Sequence, residues 1–235
     1  MLLKNNGITD IESWFKISPP MGCEKQWKDG RSAKELARYM TAAYPYVPKE
    51  IEDTLCYFVH KSAEFDWAAE YVTEFQPFGL GRGEGRNHDA FMFNSDIVVG
   101  IEGKADESLG SQLIGDALEN ASDNKKQRIN GMIQMLFGDI PENHKSIRYQ
   151  LVTASVATLL EATKKNVNKA ILLVIVFKKT GCYSEEKIAA NNADIQRFLT
   201  DISAKENDEY YTIPTAYGKE NNIELHFKHI EIELN

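Results

Sequence analysis

At 235 residues, with 43% hydrophobic and 26% charged side chains, the chain has the length and composition of a globular protein that buries a sizeable core. Its formal charge of −8 excludes an overall basic field that would draw it onto nucleic acid or an anionic membrane, leaving only a local groove for such partners. Cys23, Cys56 and Cys182 lie far apart with no CxxC spacing, which excludes a disulfide framework or a cysteine zinc site and fits a reducing cytoplasm. The opening "MLLKNNGITDIESW" is too polar for a secretory signal, and no run approaches the ~20 apolar residues of a membrane span. The expectation is a cytoplasmic chain with no membrane partner.

In chain order, residues 1–48 read as an N-terminal helical extension. "GITDIESWFKISPP" is a short helix or turn ending at Pro19 and Pro20. "RSAKELARYMTAAY" is a helix, with Ser32 as N-cap and Glu35 completing a capping box. A second helix runs through "PKEIEDTLCYFVHKS", with Ile51, Leu55, Phe58 and Val59 on one face. "AEYVTEFQPF" is a strand closed off by "GLGRGEG". Two further strands follow, "DAFMFN" and "DIVVGIEGKA", joined by "NSD" as a tight Asx turn. Residues 108–146 form a helical insertion, and residues 147–166 a strongly apolar helix. "KAILLVIVF" carries seven consecutive apolar residues after Lys169 and Ala170 and predicts a central strand covered on both faces. A helix ("SEEKIAANNADIQRFLTDIS") and an alternating strand ("NIELHFKHIEIEL") close the chain. This order predicts an α/β protein, a mixed sheet flanked by helices.

Within this frame "RNHDAFMFNSDIVVGIEGKADES" (residues 86–108) puts charges on strands that ought to be buried, which is costly without a purpose. Residues two apart on a strand share a face, so Glu102 and Lys104 point the same way with only Gly103 between them. If the two strands pair through the "NS" turn, Asp89 comes beside Glu102 to within a few residues of register. Two adjacent carboxylates repel unless a cation sits between them. Mg²⁺ (or Mn²⁺) suits such a pair, and a neighbouring lysine can orient or deprotonate the attacking water. These groups suit hydrolysis of a phosphodiester. The bland alternative is that Glu102 and Lys104 form a solvated ion pair of little worth.

Asp-x(12)-Glu-x-Lys on neighbouring strands, after a helix and a first strand, resembles the PD-(D/E)XK nuclease superfamily. The resemblance covers roughly residues 49–177, with the insertion at 108–146, and places a nuclease-like domain over residues 49–235. It implies a restriction-endonuclease-like sheet, Asp89 and Glu102 as metal ligands, and Lys104 at the nucleophilic water. It also implies Gln150, in the "RYQL" at the start of the following helix, as a further catalytic group. Arg82, Arg86 and His88 before the motif, with Arg148 and Tyr149 beside Gln150, are the expected substrate contacts. The sequence departs from the family pattern at His88, where a proline is usual, and at Ala154, where some branches carry a tyrosine. A glutamate ahead of the motif serves some relatives, and Glu64, Glu70 and Glu74 all stand in that region. "EKQWKDGRSAKELA" (residues 24–37) also resembles an uncharacterised bacterial domain family.

The expected function is a metal-dependent nuclease acting on DNA or RNA. The alternative is a non-catalytic binding or assembly protein on the same fold, with a homodimer or a protein partner left open. The net charge leans toward the alternative, and the intact Asp, Glu and Lys toward the enzyme.

Overall fold

A computed structural model describes residues 1–81, 85–119 and 121–234. The first part of the chain gives strand β1 (Leu2–Leu3), helices α1 (Ile11–Ile17), α2 (Ser32–Ala43) and α3 (Lys49–Leu55), and strands β2 (Glu64–Thr73), β3 (Arg86–Phe93) and β4 (Val98–Ala105). Helices α4 (Ile114–Glu119), α5 (Asp123–Phe137) and α6 (Tyr149–Lys165) lead to strand β5 (Lys169–Lys178) and helix α7 (Glu185–Asp201). Short strands β6 (Lys205–Glu206) and β7 (Tyr211–Ile213), helix α8 (Ala216–Asn221) and strand β8 (Glu224–Glu233) follow.

The described strands form one eight-stranded mixed sheet in the order β1-β2-β3-β4-β5-β8-β7-β6. β2, β3 and β4 are an antiparallel meander, and β5 lies parallel to both β4 and β8. The β3–β4 turn follows from its chemistry: Asn94 Oδ1 accepts the backbone N–H groups of Asp96 and Ile97, at 2.8 and 3.0 Å. A parallel neighbour needs a crossover, and α6 supplies it between β4 and β5.

β5 is buried along its apolar run and divides two cores. Leu172, Val174 and Val176 pack against α5, α6 and α7, while Ile171, Leu173, Ile175 and Phe177 join the core beneath α1, α2 and α3. Alternation along one strand therefore feeds both layers, the pattern expected of a strand covered on each face.

The N-terminal region is part of this architecture. β1 pairs in parallel with the start of β2, and Trp14, Leu36 and Met40 share one core with Ile51, Phe65 and Val99. A boundary at residue 48 thus runs through a single core, and residues 1–48 cover one face of the sheet. Two local expectations are corrected. Ser32 is the first residue of α2 and hydrogen-bonds Glu107, while Glu35 accepts the Gly30 N–H at 2.7 Å, so no capping box forms. The strand expected at 69–78 begins at Glu64, and it ends at Thr73 because Gln76–Phe78 forms a short 3₁₀ helix containing Pro77.

Candidate functional site

The β3–β4 ladder runs from Phe93↔Val98 to Ala90↔Ile101. The next rung would set Asp89 against Glu102, and there the ladder ends: Asp89 Oδ2 accepts the backbone N–H of Gly103 at 2.8 Å. The β2–β3 ladder skips the same position. Its register is constant from Asp66↔Phe93 to Thr73↔Arg86, and the pair 70/89 is the rung left out. Glu70 there has φ +50, a left-handed conformation that non-glycine residues seldom take and that tends to mark functional sites.

Side-chain alternation breaks at this rung on both strands. Phe65, Trp67 and Ala69 face the core under α2, yet Tyr71 packs on the α6 side, stacked on Phe91 at 4.6 Å. Ala90 and Met92 face α2, yet His88 lies beside Phe91 on the α6 side. The break turns Arg86 and His88 onto the face that Glu102 occupies. Gly100 is required beneath them, since a Cβ there would lie 2.5 Å from Thr158 Oγ1 and 2.8 Å from His88 Cε1. What that glycine admits is a protein side chain.

Glu102 is only 1% exposed and carries several partners. Arg86 Nη2 lies 2.5 Å from Oε2, Gln150 Nε2 donates to the same oxygen at 3.0 Å, and His88 Nδ1 lies 3.2 Å from Oε1. Burial pushes its pKa up, but Arg86, then His88 and Lys104, outweigh that and hold it down at about 2. Asp89 and Glu70 go the other way. Burial first, then the charge of Glu102, raises Asp89 to about 6; burial first, then the charge of Asp89, raises Glu70 to about 7. Asn87 Nδ2 donates to Glu70 Oε2 at 2.5 Å. Burial lowers the pKa of His88.

Three carboxylates thus face Arg86 and Lys104 and hold protons more tightly than carboxylates usually do at two of the three positions. Such a cluster favours one more positive charge. Beyond these ion pairs, Arg86 Nε, His88 Nε2 and Gln150 Oε1 are buried without a hydrogen-bond partner. Buried polar atoms are seldom left so, and their concentration here fits a site that receives a polar ligand. Among the described residues no three His, Cys, Asp or Glu side chains converge on one metal-sized point. A hard divalent cation needs only one or two carboxylates and completes its shell with water. Asp89 and Glu102 give two carboxylates of the kind such an ion takes, and Arg86 now holds Glu102 Oε2.

Two clefts meet at this place. One, of about 700 Å³, is lined by Arg86, Lys104, Arg128, Tyr149, Gln150 and Thr153 among others. The second, of about 460 Å³, is lined by Lys25, Arg31, Glu70, Arg86, Asp89 and Lys104 among others. Arg86, Lys104, Gln26 and Glu107 line both. Lys104, 7% exposed, therefore looks into both openings from the end of β4.

The expected site residues divide. Asp89, Glu102, Lys104, Gln150, Arg86 and His88 are brought together, and Tyr149 stands on the cleft wall under Lys125, whose Nζ is 5.7 Å from the ring centroid. Arg86 and His88 contact Glu102 itself. Arg148 is turned elsewhere: its Nε is 2.6 Å from Asp194 Oδ2, an ion pair between α6 and α7. Arg82 lies outside the described residues. Asp106 and Glu107 are ties between elements. Asp106 accepts the Ser184 N–H and pairs with Lys187, and Glu107 takes the Ser32 hydroxyl. Glu70, one of three glutamates the sequence left equivalent, is the one placed at the site, and Gln26 enters from the N-terminal segment. The register of β2 identifies Glu70, since it falls opposite Asp89 once that strand starts at Glu64. No sequence signal singles out Gln26.

Among the described residues no helix is long and apolar enough to cross a membrane. Comparison with curated proteins and with solved structures gave no match. Residues 7–233 match the family described as "Domain of unknown function (DUF6946)", and the chain belongs to that family.

Proposed function

We propose that this protein is a metal-dependent nuclease of the PD-(D/E)XK kind, its sheet a restriction-endonuclease-like one. The observation that carries the reading is the fork between β3 and β4, where Asp89, Glu102 and Lys104 meet beside Gln150 at the junction of two clefts. The surrounding order agrees with it: helix α3, the β2–β3–β4 meander, crossover helix α6, then β5 parallel to β4.

In this reading Asp89 and Glu102 hold Mg²⁺ or Mn²⁺, which when bound polarises the scissile phosphate and lowers the pKa of a water. The chain's own groups do the rest. The Gly103 N–H fixes one oxygen of Asp89, and Gln150 fixes one oxygen of Glu102. Lys104 presents its amine to the clefts, where it orients the attacking water and takes part in removing its proton. Tyr149 and Arg128 form a wall against which a nucleotide can lie.

One observation favours the second reading, a non-catalytic binding module. Arg86 already supplies a cation to Glu102, as an arginine would in a site that has no need of a metal.

The test is a cleavage assay on DNA and RNA, single- and double-stranded, with Mg²⁺ and with Mn²⁺. The wild type is expected to cleave at least one substrate, and Lys104→Ala to lose roughly 10²–10⁴-fold with an unchanged melting temperature. Equal activity in both proteins rules out Lys104 chemistry. Inactivity of the wild type on every substrate with either ion moves the conclusion to the binding module.

A further inference from the structure

Resting on the nuclease reading, the geometry points to Arg86 as a substrate-operated gate on Glu102. Its guanidinium holds that carboxylate in the free protein, and a nucleic-acid phosphate in the cleft draws it away, freeing Glu102 for the divalent cation.

Four observations carry this. Arg86 Nη2 is 2.5 Å from Glu102 Oε2, an oxygen a metal would also use, so guanidinium and cation compete for it. Glu102 cannot resolve the competition by moving, because its side chain is 2% exposed and sits on a strand with β5 on one side. Arg86 can. It is the first residue of β3, at the last rung of the β2–β3 ladder, its side chain is 18% exposed, and it lines both clefts. Finally, Arg86 Nη2 is engaged with Glu102 but Nε has no hydrogen-bond partner, so the guanidinium keeps a donor for a second anion.

A guanidinium fork matches two oxygens of a phosphate better than it matches the one carboxylate oxygen it now meets. Lysine in its place would lack that fork. A phosphate that captures Arg86 leaves Glu102 buried with an unbalanced negative charge, which a divalent cation relieves. Phosphate and metal therefore favour one another, and linkage requires the effect to be mutual. The device would keep the metal out until substrate arrives.

The experiment measures Mn²⁺ affinity by calorimetry, with and without a short phosphorothioate DNA added as single strand or duplex. The proteins are wild type, Arg86→Ala and Arg86→Gln, with thermal unfolding as the check on folding. Wild type is expected to bind Mn²⁺ weakly alone and on the order of tenfold more tightly with the DNA, which itself binds tighter with Mn²⁺ by the same factor. Arg86→Ala and Arg86→Gln are expected to bind Mn²⁺ tightly without DNA and to lose the coupling. If Arg86→Ala does not fold, Arg86→Gln, which keeps a hydrogen-bonding group of similar reach, gives the answer alone. Mn²⁺ affinity unchanged or lowered in the folded variant overturns the gate while leaving the nuclease reading intact. So does equal coupling in wild type and variant. Absence of Mn²⁺ binding in every protein and condition overturns both.

Discussion

At the scale of single residues, Asp89 and Glu70 are carboxylates held where their charge is unwelcome. Asp89 is raised to about 6 and Glu70 to about 7, against about 3.9 and 4.3 for unperturbed Asp and Glu. The stability they give is fully present below the unfolded values and is lost as pH rises through the folded ones. Glu102, held at about 2, has the opposite sign: its contribution is present above about pH 4.3 and lost as pH falls toward 2. In the metal-free protein the contribution of Asp89 and Glu70 should therefore fall as pH rises from about 4 toward 7. Asp89→Asn keeps an oxygen for the Gly103 N–H and removes the charge. We expect it to raise or preserve the unfolding free energy at pH 7, by about 1–3 kcal/mol at most, and to flatten the slope between about pH 4 and 6. A variant that melts lower at pH 7 and retains the wild-type slope would show that Asp89 does not carry this strain.

At the scale of elements, α6 does two jobs with opposite ends. Its first turn delivers Gln150 to Glu102, and its last turns bind the meander. Glu161 is wholly buried, accepting from Tyr71 Oη at 2.9 Å and from Lys164 Nζ at 2.8 Å. Tyr71 is the residue just past the switch in β2, so this bond holds the strand in its turned state. Hydrogen bonds to a charged group contribute about 1.5–3 kcal/mol, so Tyr71→Phe should lower stability by about that amount in chemical denaturation. Loss of substrate cleavage or Mn²⁺ response alongside is expected if the turned strand positions Glu70 and Arg86. A Tyr71→Phe protein as stable as wild type would detach α6 from that role.

At the scale of the molecule, residues 1–48 together with α3 form the cover of one sheet face. Phe65, Trp67, Val99, Ile101, Leu173 and Ile175 all lie beneath them. A chain beginning at Lys49 would expose this apolar surface together with the edge of β2, conditions that favour aggregation. It should show no cooperative unfolding transition and should collect in the insoluble fraction on expression. A soluble chain with a sharp transition would establish residues 1–48 as the separate extension that the order of predicted elements suggests. The same segment carries Gln26, Lys25 and Arg31 to the cleft, so its removal strips the site as well as the core.

The sequence by itself determined much of the frame and which charged residues the β3–β4 hairpin brings near one another. An apolar run such as Ile171–Phe177 has only one economical place, the middle of a sheet, and Asn94 fixes its hairpin through bonds two and three residues away. Both signals are local, so they survive without the fold. The nearness of Asp89 to Glu102 and Lys104 was also legible to within a few residues, by counting back and forward from a tight turn, and the structure sets the register. What only the tertiary structure decided is how those charges are balanced. The face switch at the 70/89 rung, the pairing of Arg86 with Glu102, the turning of Arg148 to Asp194 and the packing of residues 1–48 on the sheet each depend on residues distant in sequence. Local pattern assigns an arginine a position but not a partner. A long flexible cation goes to whichever buried anion the folded strands bring within reach, and that choice is made by strand register and desolvation.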